Sequence, residues 1–86
     1  MKLKEGFVLR QVAGEYVVIP SGDDLDLNMM ITLNETGAFL WERLNEETSE
    51  DVLVKALLGE YDVDAETARK AVVAFVEKLS DNGFLE

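Results

Sequence analysis

Apolar, β-favouring residues cluster in two early runs, Phe7 to Val12 and Tyr16 to Ile19, separated by Ala13-Gly14. The spacing predicts two strands joined by a turn. Gly14 supplies the positive φ such a turn needs, a conformation Ala13 is expected to tolerate poorly. Pro20 ends the second strand, and Ser21-Gly22-Asp23-Asp24 reads as a loop. A third strand from about Asn28 to Leu33 completes a small antiparallel sheet, because Ile31, Thr32 and Leu33 suit a pleated, half-buried surface. Met29 and Met30 then fall on opposite faces of it.

That strand runs without a loop into a helix over about Glu35–Leu44. Asn34 is a good N-cap, since its side-chain oxygen accepts from a free first-turn amide. Glu35 places negative charge at the positive helix end. Gly37, Leu40, Trp41 and Leu44 share one face, with Trp41 as a core anchor. Phe39 lies about 200° from Gly37, and either packs under the first strands or meets an interface. A second helix is predicted over Ser49–Glu60, capped by Thr48 with Asp51 at the third position. Val52, Leu53, Ala56, Leu57 and Tyr61 cover so wide an arc that it should be mostly buried. Asp64 caps a third helix running to Ser80 or Asp81, and Asn82-Gly83 stops it. Phe84-Leu85 should fold back onto the core.

On the third helix, Ala68, Val72, Phe75 and Leu79 form the core stripe. Val76, Arg69 and Val73 lie on one flank, about 80°, 100° and 140° from Ala68. Either the core is wide there, or something apolar docks on that flank.

Composition narrows the chemistry. Eighty-six residues with 48% apolar content fit one folded domain, residues 1–86, and not two independent cores. Neither Cys nor His occurs, so thiolate nucleophiles, imidazole bases and zinc sites of the usual nitrogen and sulfur type are excluded. No phosphate-cradling Gly-rich loop is present. The chain therefore reads as non-enzymatic, with no cofactor and no metal. Asp24-x-Asp26-x-Asn28 followed by Ile31 and Glu35 imitates a calcium-loop spacing. However, Met29 stands where the sharp turn needs Gly, and a strand precedes it in place of a helix. The net charge is −10. Residues 21–86 hold 5 bases against 16 acids, a local −11, which opposes nucleic-acid binding. No apolar run approaches a membrane span, and the first residues lack a signal-peptide core. A cytoplasmic location without membrane contact is expected.

The remaining feature is the sheet edge. An open edge invites another strand, and a third strand lying beside the third helix would accept an extended peptide there.

Several segments together carry a family resemblance. They are Gly6-Phe7-Val8-Leu9-Arg10, Glu15 to Pro20, Ile31-Thr32-Leu33-Asn34-Glu35-Thr36-Gly37-Ala38 with Leu40-Trp41, Tyr61-Asp62-Val63-Asp64 and Gly83-Phe84-Leu85. The Leu-Asn-x-Thr-Gly-Ala-x-x-Trp segment is the most specific. Over nearly its whole length the chain resembles the pyrroloquinoline quinone biosynthesis protein D family. These are the recognition elements of ribosomally made, post-translationally modified peptides. The resemblance implies an α+β, winged-helix-like fold of three strands followed by three helices. It implies a non-catalytic adaptor that holds the leader segment of a precursor peptide as an added strand. The adaptor presents that leader to a modifying enzyme, often a radical S-adenosylmethionine maturase. Carried onto this chain, the strand-side contacts are Met29, Met30, Ile31 and Thr32. The helix-side contacts, chosen from the wheel, are Arg69, Val73 and Val76, with Arg69 pairing to an acidic leader residue or remaining a solvated charge. The rival expectation is a scaffolding subunit using the same edge for a partner protein or a weak homodimer.

Overall fold

The structure, a computed structural model, describes residues 1–20 and 30–86. Three strands come first: β1 (Phe7–Val12), β2 (Glu15–Pro20) and β3 (Ile31–Leu33). Three helices follow, α1 (Glu35–Arg43), α2 (Glu50–Glu60) and α3 (Ala65–Asp81). The strands form an antiparallel sheet in the order β1-β2-β3. This is the α+β arrangement expected from the sequence. The start of the expected third strand, Asn28 and Met29, and the rejected calcium spacing at 24–28 lie outside the described residues.

Register sorts the sheet into two faces. Leu9 pairs with Val18 and Val18 with Ile31, while Gln11 pairs with Tyr16 and Tyr16 with Leu33. Partners opposite one another share a face. Phe7, Leu9, Tyr16, Val18, Ile31 and Leu33 accordingly pack together with the helices, and Val18 is fully buried. Thr32 belongs to the opposite, solvent face.

The β1–β2 turn departs from expectation. Ala13 has φ +53° and Gly14 φ +83°, so both central residues of this two-residue hairpin are left-handed. Such a turn carries a twist that matches the flanking strands. Ala13 accepts the mismatch at a cost of about 1 kcal/mol.

Each helix starts on a side-chain cap. Asn34 and Asp64 accept from the amides of Gly37 and Thr67, at 2.8 Å and 2.7 Å. For α2 the cap is Ser49, which accepts from the Val52 amide at 3.3 Å, and not Thr48. Thr48 is instead bound to the chain start: its amide donates to the Met1 carbonyl at 3.0 Å and its carbonyl accepts from the Met1 amino group at 2.7 Å. Nor is α2 mostly buried. Leu53, Val54 and Leu57 face the core, whereas Val52 and Leu58 are exposed. Its apolar arc is wider than the surface that α3 covers.

After α3, Gly83 at φ +78° turns the chain back, and Phe84 enters the core. Its ring lies edge-on to Phe7 and Trp41, with centroids 4.7 Å and 5.6 Å away. The N-terminal residues close over it through a bridge between Leu3 and Leu85 and a 2.9 Å bond from the Leu3 amide to the Leu44 carbonyl.

Ala13→Asn should raise stability by about 0.5–1 kcal/mol, because Asn tolerates the left-handed region and Asn-Gly is the favoured pair for this turn. Urea unfolding measures it; a loss of stability would show that the turn is of another type.

Candidate functional site

Among the described residues β3 is an edge strand, and its Thr32 faces outward along the backbone. The Thr32 carbonyl accepts from the Lys78 ammonium of α3 at 3.5 Å, so it points away from β2. In an antiparallel strand the N–H and C=O of one residue point to the same side, and neighbouring residues alternate. Thr32 and Met30 thus present their main-chain groups to the open edge, while Ile31 and Leu33 face Val18 and Tyr16 of β2.

Beside that edge runs a groove of about 460 Å³ between β3, the start of α1 and the C-terminal half of α3. Thr32, Leu33, Asn34, Thr36, Gly37 and Leu40 form one side of it; Ala71, Ala74, Phe75 and Lys78 form the other. Gly37 shapes its floor. A Cβ there would stand 3.3 Å from both the Leu33 Cβ and the Phe75 ring and 3.2 Å from the capping oxygen of Asn34. Glycine therefore lets α3 close onto the strand–helix junction while the cap stays made. Ala71 and Ala74 are short, and their size leaves the opening.

The groove continues past the end of β3. A hollow of about 160 Å³ shares Thr36 and Ala71 with it and adds Leu57, Tyr61, Val63, Thr67 and Ala68. Partial burial, then the nearby Glu35 and Glu60 carboxylates, push the Tyr61 phenol above its ordinary pKa. Phe39 meets the Tyr61 ring edge-on at 5.6 Å, and the Arg43 guanidinium lies over Phe39 at 4.3 Å. Phe39 thus packs against Tyr61 at the end of α2 and against the core.

The expected site residues separate. Met30 is 42% exposed at the edge, and Thr32 is exposed with its carbonyl facing Lys78 and not β2. The Ile31 side chain packs against the core, and Met29 lies outside the described residues. Arg69, Val73 and Val76 stand on the other flank of α3 and line no part of this groove. Arg69 donates to the Asp51 carboxylate of α2 at 2.8 Å, Val76 packs against the core, and Val73 is half-buried among the side chains of α3's outer face. The wheel gives two flanks beside the core stripe without saying which one faces β3. The pair of valines drew attention to one; the groove uses the other, where Ala71 and Ala74 leave room. A short-residue stripe beside Phe75 was the signal available in the sequence.

The Arg69 guanidinium, through its hydrogen bond and then its charge, holds Asp51 below the ordinary 3.8. The folded-state value is the lower one, so the pair's contribution is present above that ordinary value and is lost as pH falls through the depressed one. In Arg69→Ala the Asp51 carboxyl should titrate back in the ordinary carboxylate range, followed by carbonyl NMR. An unchanged midpoint would mean that Arg69 does not tie α3 to α2.

Comparison with known proteins adds three findings. The coenzyme PQQ synthesis protein D (PqqD) family matches residues 8–85. Among solved structures, TbiB1 in complex with the TbiA(beta) leader peptide is 26% identical, with TM-score 0.78 over 100% of this chain and 95% of that one. A lasso peptide synthetase B1 complexed with the leader peptide is 25% identical, with TM-score 0.72 over 96% of this chain and 93% of that one. No curated protein matches the chain.

Proposed function

This chain belongs to the coenzyme PQQ synthesis protein D family, and on that premise we propose that it is a non-catalytic adaptor for a precursor peptide. It binds the leader segment as an added strand at the free edge of β3 and presents it to a modifying enzyme. The observation that carries this reading is the Thr32 edge, which no described strand covers, beside an apolar groove, in a fold shared with two proteins solved with leader peptides. The enzyme type implied by the resemblance is a radical S-adenosylmethionine maturase; the lasso peptide synthetase name of one neighbour supports a second type.

Magnitudes assign the work. The three described residues of β3 offer few main-chain bonds, each worth a net ~1 kcal/mol. They fall well short of the ~8 kcal/mol that a micromolar Kd requires. Burying one aliphatic or aromatic side chain contributes about 1.5–3 kcal/mol, so two or three leader side chains in the groove supply most of the affinity. In this reading the strand side is Met30 and the Thr32 main chain, and the helix wall is Ala71, Ala74 and Phe75. Arg69, Val73 and Val76 stay outside the site because their flank is turned away from β3. Self-pairing through the same edge is the weaker alternative: a lysine over the edge is a feature that blunts edge-to-edge association.

Proline substitution separates the two faces of the strand. Thr32→Pro removes an outward amide and no bond to β2, so the protein should stay folded while affinity for leader peptides from neighbouring precursor genes falls at least ~tenfold. Ile31→Pro removes a bond to Val18 and should unfold the β2–β3 pair. Circular dichroism and fluorescence anisotropy read both; full affinity in a folded Thr32→Pro variant would refute strand addition at this edge.

A further inference from the structure

Among the described residues, Lys78 is the one charged residue lining the groove beside β3. The other two cations of α3 are engaged, Arg69 with Asp51 and Lys70 with Glu66. Lys78 is exposed and takes part in none of the ion pairs formed among the described residues. Its ammonium rests instead 3.5 Å from the Thr32 carbonyl. That contact is long, and a neutral oxygen is a poor counter-ion in a chain of net charge −10.

A strand added to β3 must place one of its own amides on the Thr32 carbonyl. The incoming amide takes the acceptor that Lys78 was using, and does so at the moment the peptide comes within reach of the freed ammonium. We propose that Lys78 is a specificity determinant, selecting leaders that carry a carboxylate side chain toward the groove, adjacent to the residue paired with Thr32. This rests on the leader-binding reading above. The acidic remainder of the chain repels an acidic leader at long range, so the discrimination is local: a carboxylate in register with Lys78 is accepted, and carboxylates elsewhere along the leader gain nothing.

The test uses synthetic leader peptides encoded by precursor genes beside this chain's gene, each made in native form and with every Asp and Glu replaced by Asn and Gln. Anisotropy titrations at low ionic strength, where ion pairs are least screened, compare the wild type with K78M, K78Q and K78E. The wild type should bind the native form about threefold to fivefold more tightly than the neutralised form, the scale of a partly exposed ion pair. K78M and K78Q should bind both forms equally, and K78E should prefer the neutralised one. Trp41 fluorescence verifies that each variant is folded. An undiminished preference in K78M and K78Q overturns the role of Lys78 and leaves the leader-binding reading standing. A leader that binds the wild type through a segment without Asp or Glu also overturns it. Failure of every native leader to bind the wild type overturns both.

Discussion

A strand that passes into a helix with no residue to spare dictates how the rest of this molecule is arranged. Leu33 ends β3 in the core, Asn34 caps α1, and Gly37 lies one turn further, pressed between Leu33 and the ring of Phe75. With the cap made and no Cβ at position 37, α3 approaches the junction until Phe75 touches it. The line of closest approach between strand and last helix is thereby fixed. The groove along β3 is the space left beside that line, where α3 presents Ala71 and Ala74. Its walls exist before any peptide arrives, which spares binding the cost of ordering them.

In the proposed reading the free edge and the groove divide the task. There, main-chain groups at Thr32 set direction and register but are blind to a peptide's sequence, and the apolar walls supply affinity and choose side chains by size. Among the described residues Lys78 is the one charged group lining that groove.

Local signals were legible in the sequence because they depend on neighbours within a turn. The Asn34 and Asp64 caps, the Gly83 stop and the Ala68, Val72, Phe75 and Leu79 stripe follow from residue chemistry and helical period alone. Ala13 takes up the left-handed conformation it tolerates poorly because the hairpin's twist, a property of both strands, overrides the preference of one residue. Thr48 departs from expectation: its main chain binds the chain start, remote in sequence, and Ser49 takes the cap. For a related reason the sequence points to Arg69, Val73 and Val76 as the helix side, while the structure places them on the flank of α3 away from the groove. Periodicity identifies a helix's inner face but not the hand with which its flanks meet other elements. Only the packed structure turns the alanine flank toward β3 and the Arg69 flank toward α2.

The most direct measurement is residue-resolved amide hydrogen exchange of the full chain, with and without a leader peptide from a neighbouring precursor gene. The account predicts that bound peptide slows exchange at the Met30 and Thr32 amides and perturbs residues 71–78, while Ile31 and Leu33, already paired with β2, change little. Protection confined to residues 69, 73 and 76, or protection at Thr32 that grows with protein concentration and ignores the peptide, would contradict it.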